Sequence, residues 1–161
     1  MRFIAAAALT LALAACGQPG GDAKNDAPPA AKAAAVQEYT PEQNAAAIAA
    51  LPAPLNTANY ENGRRVFAQC RSCHVVAANG RNGVGPNLHG VIGTTTGGHA
   101  PGFNYSPAMR NANLTWDFAT LDRYLERPMA VIPGGRMAFV GLRNPDDRRD
   151  VIAYIAVESQ R

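Results

Sequence analysis

Cys70-Arg71-Ser72-Cys73-His74 reads C-x-x-C-H, and this stretch decides the fold. Two thiols separated by two residues can each add across a vinyl group of one porphyrin, giving two thioether bonds. The imidazole of His74 then lies against the iron and can be its first axial ligand. The pattern is an attachment site for one covalent haem c. Other uses of paired cysteines fit less well. No second C-x-x-C and no H-x₃₋₅-H completes a zinc site, and no βαβ pattern surrounds the pair as in a thioredoxin-like dithiol.

The chain's 161 residues hold three cysteines. Cys70 and Cys73 are used by the haem motif, so Cys16 has no partner for a disulfide and needs its own explanation. Fifteen glycines, twelve prolines and only 7% aromatic residues describe a loop-rich domain, in which a buried porphyrin would supply missing apolar surface. Residues 57–161 contain twelve arginines and eight carboxylates, a net +4, and no lysine follows Lys32. That excess can steer acidic partners but is too modest to indicate nucleic acid.

Helix signals flank the motif. Asn59 to Cys70 is predicted as a first helix, capped by Asn56, Thr57 or Asn59, with Gly63 and Phe67 on one face. Beyond His74 the sequence carries glycine and proline punctuation through Gly102 rather than periodicity. Loops this long in a compact domain are expected where they wrap a cofactor. Thr115 opens a second helix that ends before Pro128. Met129 to Met137 reads as a turn-rich strap. Asn144-Pro145-Asp146-Asp147 signals the last helix. No alternating strand pattern is convincing. The fold class is all-α, a single domain of three to five helices with long loops around one haem.

The amino terminus reads as an export segment. Arg2 precedes an apolar run from Phe3 to Leu13, too short to cross a bilayer as a helix but suited to a secretory signal over residues 1–15. Leu13-Ala14-Ala15-Cys16 resembles a bacterial lipoprotein box, which makes Cys16 the lipidation site. An ordinary cut after Ala14 is the alternative. Multi-chain acylation anchors stably where one chain does not. Residues 16–56 are Ala- and Pro-rich and read as a mostly disordered tether. Within it, Thr40-Pro41-Glu42-Gln43 carries a capping box for a short helix over 41–51.

Residues 57–161 resemble a class I cytochrome c of the mitochondrial and bacterial c2 type. The resemblance rests on Gly63 with Phe67, the C-x-x-C-H, Gly85-Pro86-Asn87-Leu88-His89-Gly90, Phe103-x-Tyr105, Thr115-Trp116, Tyr124-Leu125-Glu126, Ile132-Pro133-Gly134-x-x-Met137-x-Phe139-x-Gly141 and Ile152-Ala153-Tyr154. It implies that the Pro86 carbonyl accepts the second ring N–H of His74, and that Met137 is the other axial ligand. By chemistry alone Met109 and Met129 are also sulfur donors; the Pro-Gly strap before Met137 matches the family's ligand loop. The resemblance also puts Tyr105 and Trp116 beside a haem propionate, and Gly63, Phe67, Val151 and Tyr154 at a helix crossing. His89 and His99 are expected on loops away from iron. Thr94, Gly135 and Met109 depart from the family pattern near the haem.

A His/Met pair fills both axial positions, which suits one-electron transfer and leaves no open site for an enzyme's substrate. The sequence-based expectation is a membrane-tethered monohaem carrier in a respiratory or photosynthetic chain. It would run between a cytochrome bc1-type donor and a cytochrome c oxidase-type acceptor, as a monomer on the periplasmic side of a bacterial membrane. Arg71, Arg81, Arg136 and Arg143 are candidates for docking. A fixed subunit of a dehydrogenase or oxidase is the alternative, and a haem enzyme or gas sensor a more distant one.

Overall fold

A computed structural model describes residues 39–161. The expected signal peptide, the candidate lipidation site Cys16 and the first part of the expected tether lie outside the described residues. The fold is helical, with six α-helices and one 3₁₀ turn among the described residues. The only β-type pairing there is an isolated bridge between Thr95 and Thr115.

Helix α1, Pro41–Ala49, starts where the capping box predicts. The Gln43 N–H donates to Thr40 Oγ1 at 3.3 Å, and the Thr40 N–H donates to Gln43 Oε1 at 2.8 Å. This helix is not part of a loose tether. The folded unit runs Glu38–Arg161, so the domain boundary lies upstream of residue 57. The reason is an apolar stripe on an otherwise alanine-rich segment. Ile48, Leu51 and Leu55, the last in a 3₁₀ turn at Leu55–Thr57, are all buried. They join the same core as the later helices. Burial against the domain stabilises a helix too short to persist alone in water.

Helix α2, Tyr60–Phe67, is capped by Asn59, whose side chain accepts from the Asn62 N–H. It makes its broadest contact with α6, Pro145–Glu158. The crossing is close because residue 63 is glycine. A β-carbon there would run into the Asp150 carbonyl and lie 2.8 Å from Tyr154 Cβ. Tyr154 fills the crossing, its ring 5.3 Å from Tyr60 and 5.2 Å from Phe67 between centroids. Asp150, only 2% exposed, accepts from the Asn59 N–H at 3.0 Å and from Asn62 Nδ2 at 2.8 Å. Its Arg149 partner lies 2.9 Å away, so this buried carboxylate is both paired and hydrogen-bonded, as burial requires.

The carboxyl end closes over α1. The Arg161 guanidinium sits 3.7 Å from the centre of the Tyr39 ring. It also donates to Asn44 Oδ1 at 2.6 Å, to the Tyr60 hydroxyl at 3.1 Å and to Glu158 Oε1 at 2.8 Å.

Between α2 and α6 lie α3, Pro107–Asn111, α4, Phe118–Glu126, and α5, Pro128–Val131. Helix α4 begins later than Thr115. Its cap is Asp117, which accepts from the Thr120 N–H at 2.7 Å, while Thr115 belongs to the bridge with Thr95. Helix α5 occupies the start of what reads in sequence as a strap. Residues 74–106 contain no helix.

Candidate functional site

Beyond α2 the chain keeps turning. The Cys73 and His74 N–H groups both donate to the Cys70 carbonyl, at 3.0 and 2.9 Å. That turn sets both thiols and the imidazole on the wall of one cavity of about 550 Å³, within the size range of cofactor pockets. The rest of the lining comes from distant parts of the chain. It includes Leu88, Trp116, Tyr124, Met137, Ile152 and Ile155. Most of this wall is apolar, and helices α4 and α6 supply much of it.

His74 is oriented by its surroundings. Its Nδ1 lies 2.8 Å from the Pro86 carbonyl. A carbonyl only accepts, so Nδ1 carries the proton and Nε2 keeps a free lone pair for a metal. Burial lowers the imidazole pKa from its usual value, against the opposing hydrogen bond to Pro86, which favours the neutral, ligating form. The backbone at Gly85 runs against the ring, and a β-carbon there would enter the imidazole. The residues flanking Pro86 thus form a cradle for His74.

Cys70 and Cys73 are both free thiols. Burial, reinforced by the neighbouring Cys73, pushes the Cys70 thiol up to about 11. Among the described residues no three His, Cys, Asp or Glu side chains gather to hold a bare metal ion. The donor set is two thiols, one imidazole with Nε2 free and one thioether, around an apolar cavity. That set fits a porphyrin that brings its own equatorial nitrogens and is attached through the thiols.

Of the candidate sulfur ligands, Met137 lines the cavity, and so does Met109. Met129 is half exposed and is not part of the wall. Tyr105 and Trp116 both reach the cavity. The Tyr105 hydroxyl also accepts from the Ala100 N–H at 3.1 Å. His89 stays on its loop, with Nδ1 3.3 Å from the Val76 carbonyl. His99 does reach the cavity wall, with its Nε2 3.1 Å from the Asn87 carbonyl.

Sequence reading missed the residues that hold the loops in place. Asn87 Nδ2 donates to the carbonyls of Ala77 and Gly80, both at 2.9 Å. Asn82 accepts from the Asn87 N–H at 2.9 Å and donates to the Pro101 carbonyl at 3.0 Å. Together they brace the proximal loop against the segment carrying Tyr105. An asparagine in a glycine-rich stretch looks like any turn residue until its partners are known. Of the four arginines proposed for docking, Arg136 lies on the cavity wall and donates to the Asn104 carbonyl at 3.3 Å. Arg71, Arg81 and Arg143 are exposed. Val84, also on the cavity wall, is 81% exposed.

No helix among the described residues is long and apolar enough to cross a membrane. The family model described as cytochrome c matches residues 60–157. The chain is 56% identical over 96 residues to cytochrome c2 of Rhodomicrobium vannielii, covering 60% of this chain and 76% of that one. It is 42% identical over 106 residues to cytochrome c of Kluyveromyces lactis, covering 65% and 96%. Among solved structures, cytochrome cH from Methylobacterium extorquens superposes with a TM-score of 0.59 at 38% identity, covering 62% of this chain and 98% of that one.

Proposed function

The chain belongs to the cytochrome c family, and from that premise we propose that it is a lipid-tethered carrier taking single electrons from a bc1-type complex to a cytochrome c oxidase-type acceptor. Its cofactor is one covalent haem c, and the monohaem electron carrier is the family's type. Bound haem c supplies a one-electron iron couple. In this reading Cys70 and Cys73 hold the porphyrin, and His74 Nε2 and the Met137 thioether hold the iron.

The observation that carries the reading is the shared cavity wall. His74, with Nδ1 engaged by Pro86, and Met137, more than sixty residues later, both reach the one apolar cavity beside the two cysteines. The neutral thioether favours the reduced metal and so raises the potential. The apolar lining excludes water and disfavours net charge in the same direction. With two protein ligands in place no coordination position is left for a substrate, so the residues favour a carrier over an enzyme. The lipid anchor is Cys16, on the periplasmic side of a bacterial membrane, where tethering would raise the local concentration beside membrane partners.

The test uses membranes carrying the full-length protein. Adding a quinol should reduce its haem within the turnover time of the donor complex, and an inhibitor of that complex should stop the reduction. Reduction that ignores the inhibitor, or no reduction at all, would overturn the donor assignment.

A further inference from the structure

Met137 lies in a segment with little structure of its own. Among the described residues, Arg136–Gly141 has a single backbone hydrogen bond, from the Phe139 N–H to the Met137 carbonyl at 3.0 Å. Within the strap the Arg136 side chain donates to the Asn104 carbonyl at 3.3 Å, and Met137 and Phe139 pack against the core; the backbone itself is pinned at the two ends. On the amino side the Gly135 N–H donates to the Ile132 carbonyl at 3.0 Å. On the carboxyl side the Leu142 N–H donates to the Leu125 carbonyl at 2.8 Å, at the end of α4.

The carboxyl-side pin is completed by a buried arginine that the cavity does not include. Arg148, in the first turn of α6, is 7% exposed. Its Nη1 donates to the carbonyls of Leu142 at 2.9 Å and Arg143 at 3.0 Å. Its Nε donates to Asp122 Oδ1 at 2.7 Å, and its Nη2 faces Oδ2 at 3.4 Å. One planar fork thus joins α6, α4 and the end of the strap. A guanidinium can meet both carboxylate oxygens and two carbonyls at once because its donors are spread over a planar fork; a lysine offers its donors from a single nitrogen.

We infer that Arg148 is a positioning residue for the second axial ligand, holding the Met137 strap closed over the cavity through the Leu142 and Arg143 carbonyls. This rests on the reading of Met137 as that ligand. Without the fork, two carbonyls and the Asp122 carboxylate lose a buried charged donor, a large perturbation for one side chain. The strap end is then freer to lift, and Met137 with it.

The experiment measures how easily an outside ligand takes the place of the thioether. Oxidised holoprotein is titrated with imidazole, following the far-red absorption band that marks sulfur bound to ferric iron, and global unfolding is measured separately in denaturant. Arg148→Gln should bind imidazole about tenfold more tightly than the parent, the size expected from losing charge-assisted hydrogen bonds. Asp122→Asn, which leaves the two carbonyl contacts in place, should give a smaller increase. If Arg148→Gln lowers the unfolding midpoint but leaves imidazole affinity unchanged, Arg148 is only a structural residue and the inference fails. If Arg148→Gln does not accumulate with haem, Asp122→Asn decides, and no increase in its imidazole affinity overturns the inference. Met137→Ala separates the two levels of the argument. Loss of the far-red band in that variant upholds the ligand reading whatever Arg148 does; a band that survives removes both.

Discussion

A methyl group added at residue 63 would have to occupy the space of the Asp150 carbonyl. Gly63→Ala should therefore push α2 away from α6 and cost about 1–3 kcal/mol, read as a fall of several degrees in the thermal midpoint of the holoprotein. Tyr124 makes a second prediction. Burial raises its phenol from 10.0 to about 12. The folded state therefore keeps this proton where the unfolded chain has lost it, so the contribution of Tyr124 to stability falls as pH rises above 10 and is lost by about 12. Its share of the loss should be on the order of 3 kcal/mol, seen by denaturant titration across that range, and Tyr124→Phe should make the slope shallower. At this scale the sequence is very informative where chemistry fixes the spacing. Cys70, Cys73 and His74 could be read directly, and the cavity gathers them. Asn82, Asn87 and Arg148 could not, because their meaning lies in carbonyls they meet only after folding.

Helix starts were legible because capping chemistry is local. Thr40 with Gln43, Asn59, and Asn144 with Pro145 all cap the helices they announce. Where two signals competed the reading slipped. Thr115 looks like a cap, but its backbone pairs with Thr95, and Asp117 takes the role. Helix α5 was missed because Pro128 reads as the end of one helix, although proline equally suits the first position of the next. The burial of α1 was hidden because its partners lie at the far end of the chain. Arg161 is central to that contact, stacking on Tyr39 and bonding Asn44, Tyr60 and Glu158. Arg161→Ala should destabilise the closure by about 1–2 kcal/mol. Limited proteolysis should then cut faster within residues 39–58, while the haem spectrum stays the same. Equal cutting rates in the two proteins would mean that the side chain contributes nothing to holding α1.

For the molecule as a whole, extension of the folded unit to Glu38 leaves residues 17–37 between the proposed anchor at Cys16 and the domain. Cys16→Ser should move the holoprotein from the membrane fraction to the soluble fraction; retention on membranes would contradict the anchor. Everything else follows from how the cavity holds its iron. The most direct measurement is the reduction potential of the purified holoprotein beside that of Met137→Ala, with the oxidised spectra recorded in the same titration. Ligation of the iron by Met137 predicts a fall on the order of 0.1 V or more and loss of the far-red band. An unchanged potential with an unchanged spectrum would contradict it.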